Sequence, residues 1–129
     1  EKIFQKKSEV FIFDIATNHL KDEENVFEHD CTESIPHGPY DIVYSHVILK
    51  FIETEKQFKL LMNSYDVLKR GGMAIHILDK EDYSGKNTDP QSGYFPVPLN
   101  DWKNKLKESG IDFGEIPIKY GIAIIIMKL

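Results

Sequence analysis

The sequence predicts one α/β domain: a mostly parallel sheet with helices on both faces, closed by a C-terminal antiparallel hairpin. Three observations carry this. Short apolar runs such as Val10-Phe11-Ile12-Phe13 suit strands buried on both faces of a parallel sheet. They alternate with segments of helical periodicity after residues 54 and 98. The chain then ends in two strand-like runs, Gly114 to Lys119 and Gly121 to Lys128, meeting at a tight Tyr120-Gly121 turn.

The elements follow in order. Lys2 to Lys7 reads as the end of a helix running into the first strand, so a preceding segment is expected. Val10 to Asp14 is that strand, and Asn25 to Asp30 a second, shorter one; each ends in an acid. Pro36-His37-Gly38-Pro39 is loop chemistry, and Tyr40 to Ser45 a third strand passing into the apolar segment Val47 to Ile52. Thr54 and Gln57 have capping-box spacing, with Phe58, Leu61, Met62, Tyr65 and Leu68 along one helical face. Gly71-Gly72 is expected to stop that helix, because glycine tolerates the left-handed conformation beyond helix ends. Met73 to Leu78 is a strand, and Lys80 to Pro98 a long polar loop of the kind that often carries function. Asn100 is expected to cap a helix in which Leu99, Trp102 and Leu106 share a face, with Gly110 ending it.

Composition narrows the function classes. The 129 residues suffice for one core, and 41% hydrophobic with 29% charged residues describes a chain able to bury it. A net charge of -5 argues against a broad phosphate-binding surface, so nucleic acid is not an expected partner. The single cysteine, Cys31, cannot form an internal disulfide, which fits a cytoplasmic location. No cluster with metal-ligand spacing is visible. The longest apolar run, Ile122 to Met127, is far below the roughly 20 residues of a membrane span. No membrane association is expected.

The residues that point to chemistry sit at strand ends: Asp14, Asp30 and Ser45-His46. Open α/β sheets bind ligands outside the carboxyl ends of their strands, and an acid there can accept both hydroxyl protons of a ribose. Either aspartate alone is equally a turn or cap residue. His46 is placed to orient an acceptor or take its proton, or else packs under the next helix as a neutral side chain. His76, inside a strand, reads as structural. Tyr83 and Tyr94, in the long loop, are candidates for lining an acceptor pocket.

Together these segments resemble the class I, Rossmann-like S-adenosylmethionine-dependent methyltransferases. Val10 to Ile15 resembles that family's second strand, whose terminal acid, here Asp14, grips the cofactor ribose. Phe27 to Cys31 resembles the end of its third strand, where Asp30 and the Cys31 backbone face the adenine. Tyr40-Asp41-Ile42-Val43-Tyr44-Ser45-His46 is similar to the fourth-strand motif, and Val67-Leu68-Lys69-Arg70-Gly71-Gly72-Met73 to the turn before the fifth strand, with Arg70 where proline is usual. The resemblance covers nearly the whole chain as a partial domain, 1–129, from the helix before the second strand to the closing hairpin. It implies S-adenosylmethionine as cofactor, held by Asp14, Ile15, Asp30, Cys31 and Ser45, and a small-molecule acceptor near His46. It also implies a sixth strand at the sheet edge and an antiparallel seventh between it and the fifth. Pro117 suits the edge, and the apolar run Ile122 to Met127 suits the inner place.

The family's first strand and its glycine-rich loop have no counterpart, so the domain is expected to lack that central strand here. Two other readings stand beside methyl transfer. One is a methyltransferase-like binding domain without catalysis. The other is a nicotinamide-dependent oxidoreductase, which shares a ribose-binding acid after its second strand but not the closing hairpin.

Overall fold

The computed structural model describes residues 9–14, 22, 24–84 and 89–129. The expectations for Lys2 to Lys7 and for Ile15 lie outside these residues. Strands β1 (Ile12–Asp14) and β2 (Val26–Glu28) pair in parallel, with Asp14 opposite Glu28. A second sheet has the order β3 (Tyr40–His46), β4 (Leu68–Asp79), β6 (Gly121–Met127), β5 (Asp112–Ile118). There β3 and β4 are parallel, and β6 runs antiparallel to both β4 and β5. Pro117 thus lies on an edge strand, where its missing N–H costs no ladder bond, and the apolar β6 lies inside. Between the ends of the two sheets, β1 and β3, opens a cleft of 1020 Å³ walled by Val10, Phe11, Phe13, Tyr40, Ile42 and Tyr44. It stands where the resemblance expects the family's first strand.

Helices α1 (Thr54–Asp66) and α3 (Leu99–Glu108) pack on one face of the larger sheet. Leu60 and Leu61 of α1 and Leu99, Trp102 and Leu106 of α3 share one core cluster with Ala74 and Leu78 of β4 and Ile124 and Ile126 of β6. Alternation along the strands directs the neighbouring residues the other way. On that second face Ile42 and Tyr44 are each 60% exposed, and Ile116 and Ile118 are also open.

Local chemistry departs from the sequence reading in three places. The capping box of α1 does not form: its N-cap is Glu53, without a side-chain bond. The Thr54 hydroxyl instead donates to the Pro96 carbonyl, and the Gln57 amide lies 3.0 Å from the carbonyls of Leu49, Ile52 and Pro96. A tertiary demand from the segment after β3 and from the long loop has outcompeted the helix end. Second, α1 stops at Asp66 and Leu68 already belongs to β4, so Gly71-Gly72 interrupts a strand and does not end a helix. Tyr40 pairs with Leu68 but Ile42 with Met73, which marks a bulge. Gly71 adopts φ +85° there, and a Cβ on Gly72 would lie 2.8 Å from the Asp41 carbonyl oxygen. Third, Pro98, not Asn100, occupies the N-cap of α3. Gly110, with φ +70°, follows the end of that helix as expected.

The long loop carries a short helix, α2 (Lys80–Tyr83), and a 3-10 turn at Pro90–Ser92. Another 3-10 turn, Leu49–Phe51, follows β3.

Candidate functional site

Asp14 and Asp30 stand at and just beyond the carboxyl ends of two adjacent, parallel, in-register strands. The strands are held together past their ends by the His29 N–H, which donates to the Asp14 carbonyl at 2.8 Å. Both carboxylates act on the thiol between them. Burial pushes the Cys31 pKa up to about 11, and the charges of Asp30 and Asp14 add to the shift. Cys31 is therefore a protonated, half-buried thiol and not a nucleophile.

The carboxylate of Asp30 already serves the local turn. Its Oδ1 accepts from the Thr32 hydroxyl at 2.7 Å and from the Thr32 N–H at 2.9 Å. These bonds, the hydroxyl's first, hold its pKa below the usual carboxylate value. The Cys31 carbonyl accepts from the Asn63 side-chain amide of α1 at 3.0 Å, so that oxygen too is engaged. The Thr32 and Glu33 N–H groups are engaged with Asp30 as well, so what this loop offers a ligand is the Cys31 N–H and the second carboxylate oxygen of Asp30.

Ser45 and His46, adjacent on β3, point to opposite faces. Ser45 turns inward, its Oγ 2.5 Å from Nδ1 of His76, so its side chain is committed to the core and only its backbone remains at the strand end. The Ser64 hydroxyl of α1 donates to the Leu61 carbonyl at 2.6 Å and lies 2.9 Å from the other ring nitrogen of His76. A hydroxyl has one proton to give, so Ser64 accepts from Nε2–H, and Nδ1 accepts the Ser45 proton. Complete burial pushes the His76 pKa down to about 4, and the ring is neutral. The structural reading of His76 holds, and this bridge ties β3, β4 and α1 together.

His46 is exposed, with its ring 6.3 Å from that of Tyr44 in a stacked arrangement. It does not pack under the following helix. The structure brings Asp14, Asp30 and Cys31 together but not His46 with them. The rings of Phe11 and Phe13 touch Tyr40, the first residue of β3, whereas His46 closes that strand about 20 Å further along it. Tyr83 and Tyr94 are also separate from each other. Tyr83 lines a 480 Å³ recess with Val97, Leu99, Asn100 and Ile122. Tyr94 pairs with Asp89, and its ring centre lies 5.7 Å from that of Phe51 with the two planes inclined at 49°.

Lys50 and Phe51 were not singled out by sequence, which shows only an apolar run from Val47 to Ile52. The Lys50 carbonyl accepts from the Phe95 N–H at 2.7 Å, and its ammonium lies 3.7 Å from the enclosed Asp82 carboxylate. No local spacing signals these contacts.

No family model matches the chain, and no curated protein does. Solved structures do. LepI in complex with SAM superposes on 99% of the chain with TM-score 0.71 at 10% identity, and the match covers 38% of that protein. An O-methyltransferase family protein from Burkholderia thailandensis aligns over 88% with TM-score 0.61 at 15% identity, again over 38% of its length. The N-methyltransferase NodS from Bradyrhizobium japonicum WM9, in complex with S-adenosyl-L-homocysteine, aligns over 90% with TM-score 0.59 at 11% identity and 63% of its length. The chain thus has the fold of S-adenosylmethionine-dependent methyltransferases, and it spans well under half of the first two of these proteins.

Proposed function

We propose that the polypeptide carrying this chain is an S-adenosylmethionine-dependent methyltransferase acting on a small molecule. The observation that carries the reading is the pair Asp14 and Asp30, at the ends of neighbouring parallel strands, in a molecule whose remaining strands follow methyltransferase order. In this proposal Asp14 takes the ribose hydroxyls, and the Asp30–Cys31 turn meets the adenine with the Cys31 N–H and the second carboxylate oxygen of Asp30. Ile15, next to Asp14, belongs to the same proposal, and Ser45 contributes backbone alone.

Bound S-adenosylmethionine supplies a methyl group on a positively charged sulfur. Transfer then depends mainly on aligning the acceptor atom with that carbon, so the chain's own task is positioning. His46, the exposed last residue of β3, is the proposed group to orient the acceptor and receive its proton, which requires the acceptor to reach along β3 from the end where the two acids lie. Several structural neighbours contain SAM or SAH, and another is described as a pericyclic reaction enzyme, so cofactor binding and methyl transfer need separate measurement.

Calorimetric titration of the natural full-length polypeptide with S-adenosylhomocysteine tests the cofactor site. Saturable binding is expected; its absence removes the enzyme reading and leaves a binding domain of the same fold. Titration with NAD in parallel is expected to give no heat, and binding there would revive the oxidoreductase reading.

A further inference from the structure

We propose that Phe51, Tyr94 and Lys50 form a docking shelf for a planar aromatic acid; as a statement about the methyl acceptor, this rests on the methyltransferase reading. The two rings come from different segments, the turn after β3 and the long loop, yet their centroids lie 5.7 Å apart. Both are open, Phe51 56% exposed and Tyr94 37%. The Phe95 N–H bond to the Lys50 carbonyl fixes the two segments side by side, and the Thr54 hydroxyl anchors the loop again at Pro96. The shelf is therefore built before any ligand arrives, which lowers the entropy cost of binding.

Its charge selects the ligand. The Lys50 ammonium lies 5.3 Å from the centre of the Phe51 ring and 5.7 Å from that of Tyr94. The Asp82 carboxylate holds it at 3.7 Å, longer than a direct hydrogen bond, while the ammonium has three donors. The two ring planes are inclined at 49°, so a flat ring stacked on one meets the other at a tilt, and an attached carboxylate or phenolate comes within reach of those donors. An aliphatic acid has no face to stack, and a neutral aromatic has no charge to meet the ammonium. Lys50 follows His46 by four residues, in the turn that leaves the same end of β3.

The test titrates 2-naphthoate into the full chain, followed by the probe's own fluorescence, with circular dichroism confirming that each variant is folded. Saturable binding is expected, weakened about tenfold or more in Lys50→Met and in Phe51→Leu, and largely retained in Lys50→Arg. Neutral 2-naphthalenemethanol is expected to bind more weakly and to ignore Lys50→Met. Absence of saturable binding, equal affinity for cyclohexanecarboxylate, or unchanged affinity in both Phe51→Leu and Tyr94→Leu overturns the shelf. S-adenosylhomocysteine titrated into the same preparation keeps the two ideas apart. Its binding without naphthoate binding removes the shelf alone; naphthoate binding without it supports the shelf and removes its role in methyl transfer.

Discussion

The hydroxyl of Ser45 donates to Nδ1 of His76 across 2.5 Å, because the other nitrogen of that ring is already committed to Ser64. Protonating the imidazole turns this acceptor into a second donor facing a hydroxyl, inside the core. The unfolded ring titrates near 6.5 and the folded one near 4. Between those values the unfolded chain holds the extra proton, so the stabilisation is complete above pH 6.5 and fades as pH falls towards 4. The full difference is about 3 kcal/mol. Urea midpoints measured from pH 7.5 to 4 should follow this course in the wild type and lose most of the slope in His76→Gln. A flat wild-type profile would contradict a buried neutral ring.

Gln57 is wholly buried, and its two amide protons serve three carbonyls from two segments. Gln57→Leu removes these bonds, but Pro96 keeps the Thr54 hydroxyl and Leu49 the Ile52 N–H, so the cost is about 1 kcal/mol. The loss should appear as a lower urea midpoint and as faster hydrogen exchange at the Phe95 N–H, which bonds to Lys50 beside the staple. Protection of that amide equal to wild type would show that the loop is held by other means.

At the bulge in β4 the two glycines should differ. A Cβ on Gly72 meets the backbone oxygens of Asp41 and Lys69 at 2.8 and 2.9 Å, and backbone cannot move aside cheaply. Gly72→Ala is expected to cost about 3 kcal/mol through that overlap. Gly71→Ala meets open space, and its penalty comes only from φ +85°, about 1 kcal/mol. Thermal midpoints that rank the two variants the other way would show that the strand relaxes around residue 72.

In the full-length polypeptide, Asp14→Ala should weaken S-adenosylhomocysteine binding roughly thirtyfold, the equivalent of about 2 kcal/mol for a charge-assisted hydrogen-bonded contact. Asp30→Ala should cost less affinity, because an adenine takes one hydrogen bond from a carboxylate where a ribose offers two hydroxyls. Calorimetry giving the reverse order would move the ribose contact from the first acid to the second.

His46→Gln should leave cofactor affinity unchanged and slow methyl transfer by about 100-fold, the lower range for a lost proton acceptor. An unaltered rate with the natural acceptor would reduce His46 to an exposed surface residue.

The large features of the fold were legible because they follow from burial, which is written in composition. Pro117 beside an all-apolar run placed the last two strands in the right order, and Leu99, Trp102 and Leu106 gave the buried face of α3. What failed was local chemistry captured by distant partners. Thr54 and Gln57 have a capping spacing, but carbonyls of Leu49, Ile52 and Pro96 claimed them. Gly71-Gly72 has the look of a helix stop, but pairing of Leu68 with Tyr40 drew the strand back to the helix end. In the candidate site, the acids at the strand ends could be read directly. The inward turn of Ser45 needed its partner, His76, which lies 31 residues away in sequence.

The bulge also sets how this region can change in length. Strand β4 advances five positions, from Leu68 to Met73, while β3 advances two, from Tyr40 to Ile42. Deleting one residue between Leu68 and Met73, with Leu68 held opposite Tyr40 and the bulge keeping its shape, would slip Met73 and everything downstream by one position against β3 and turn each side chain to the other face. His76 would swing away from Ser64 to the outer surface, and Ile75 and Ile77 would be driven in among the helices. Losing two residues keeps each later side chain on its own side, so viable variants of this stretch should differ by even numbers.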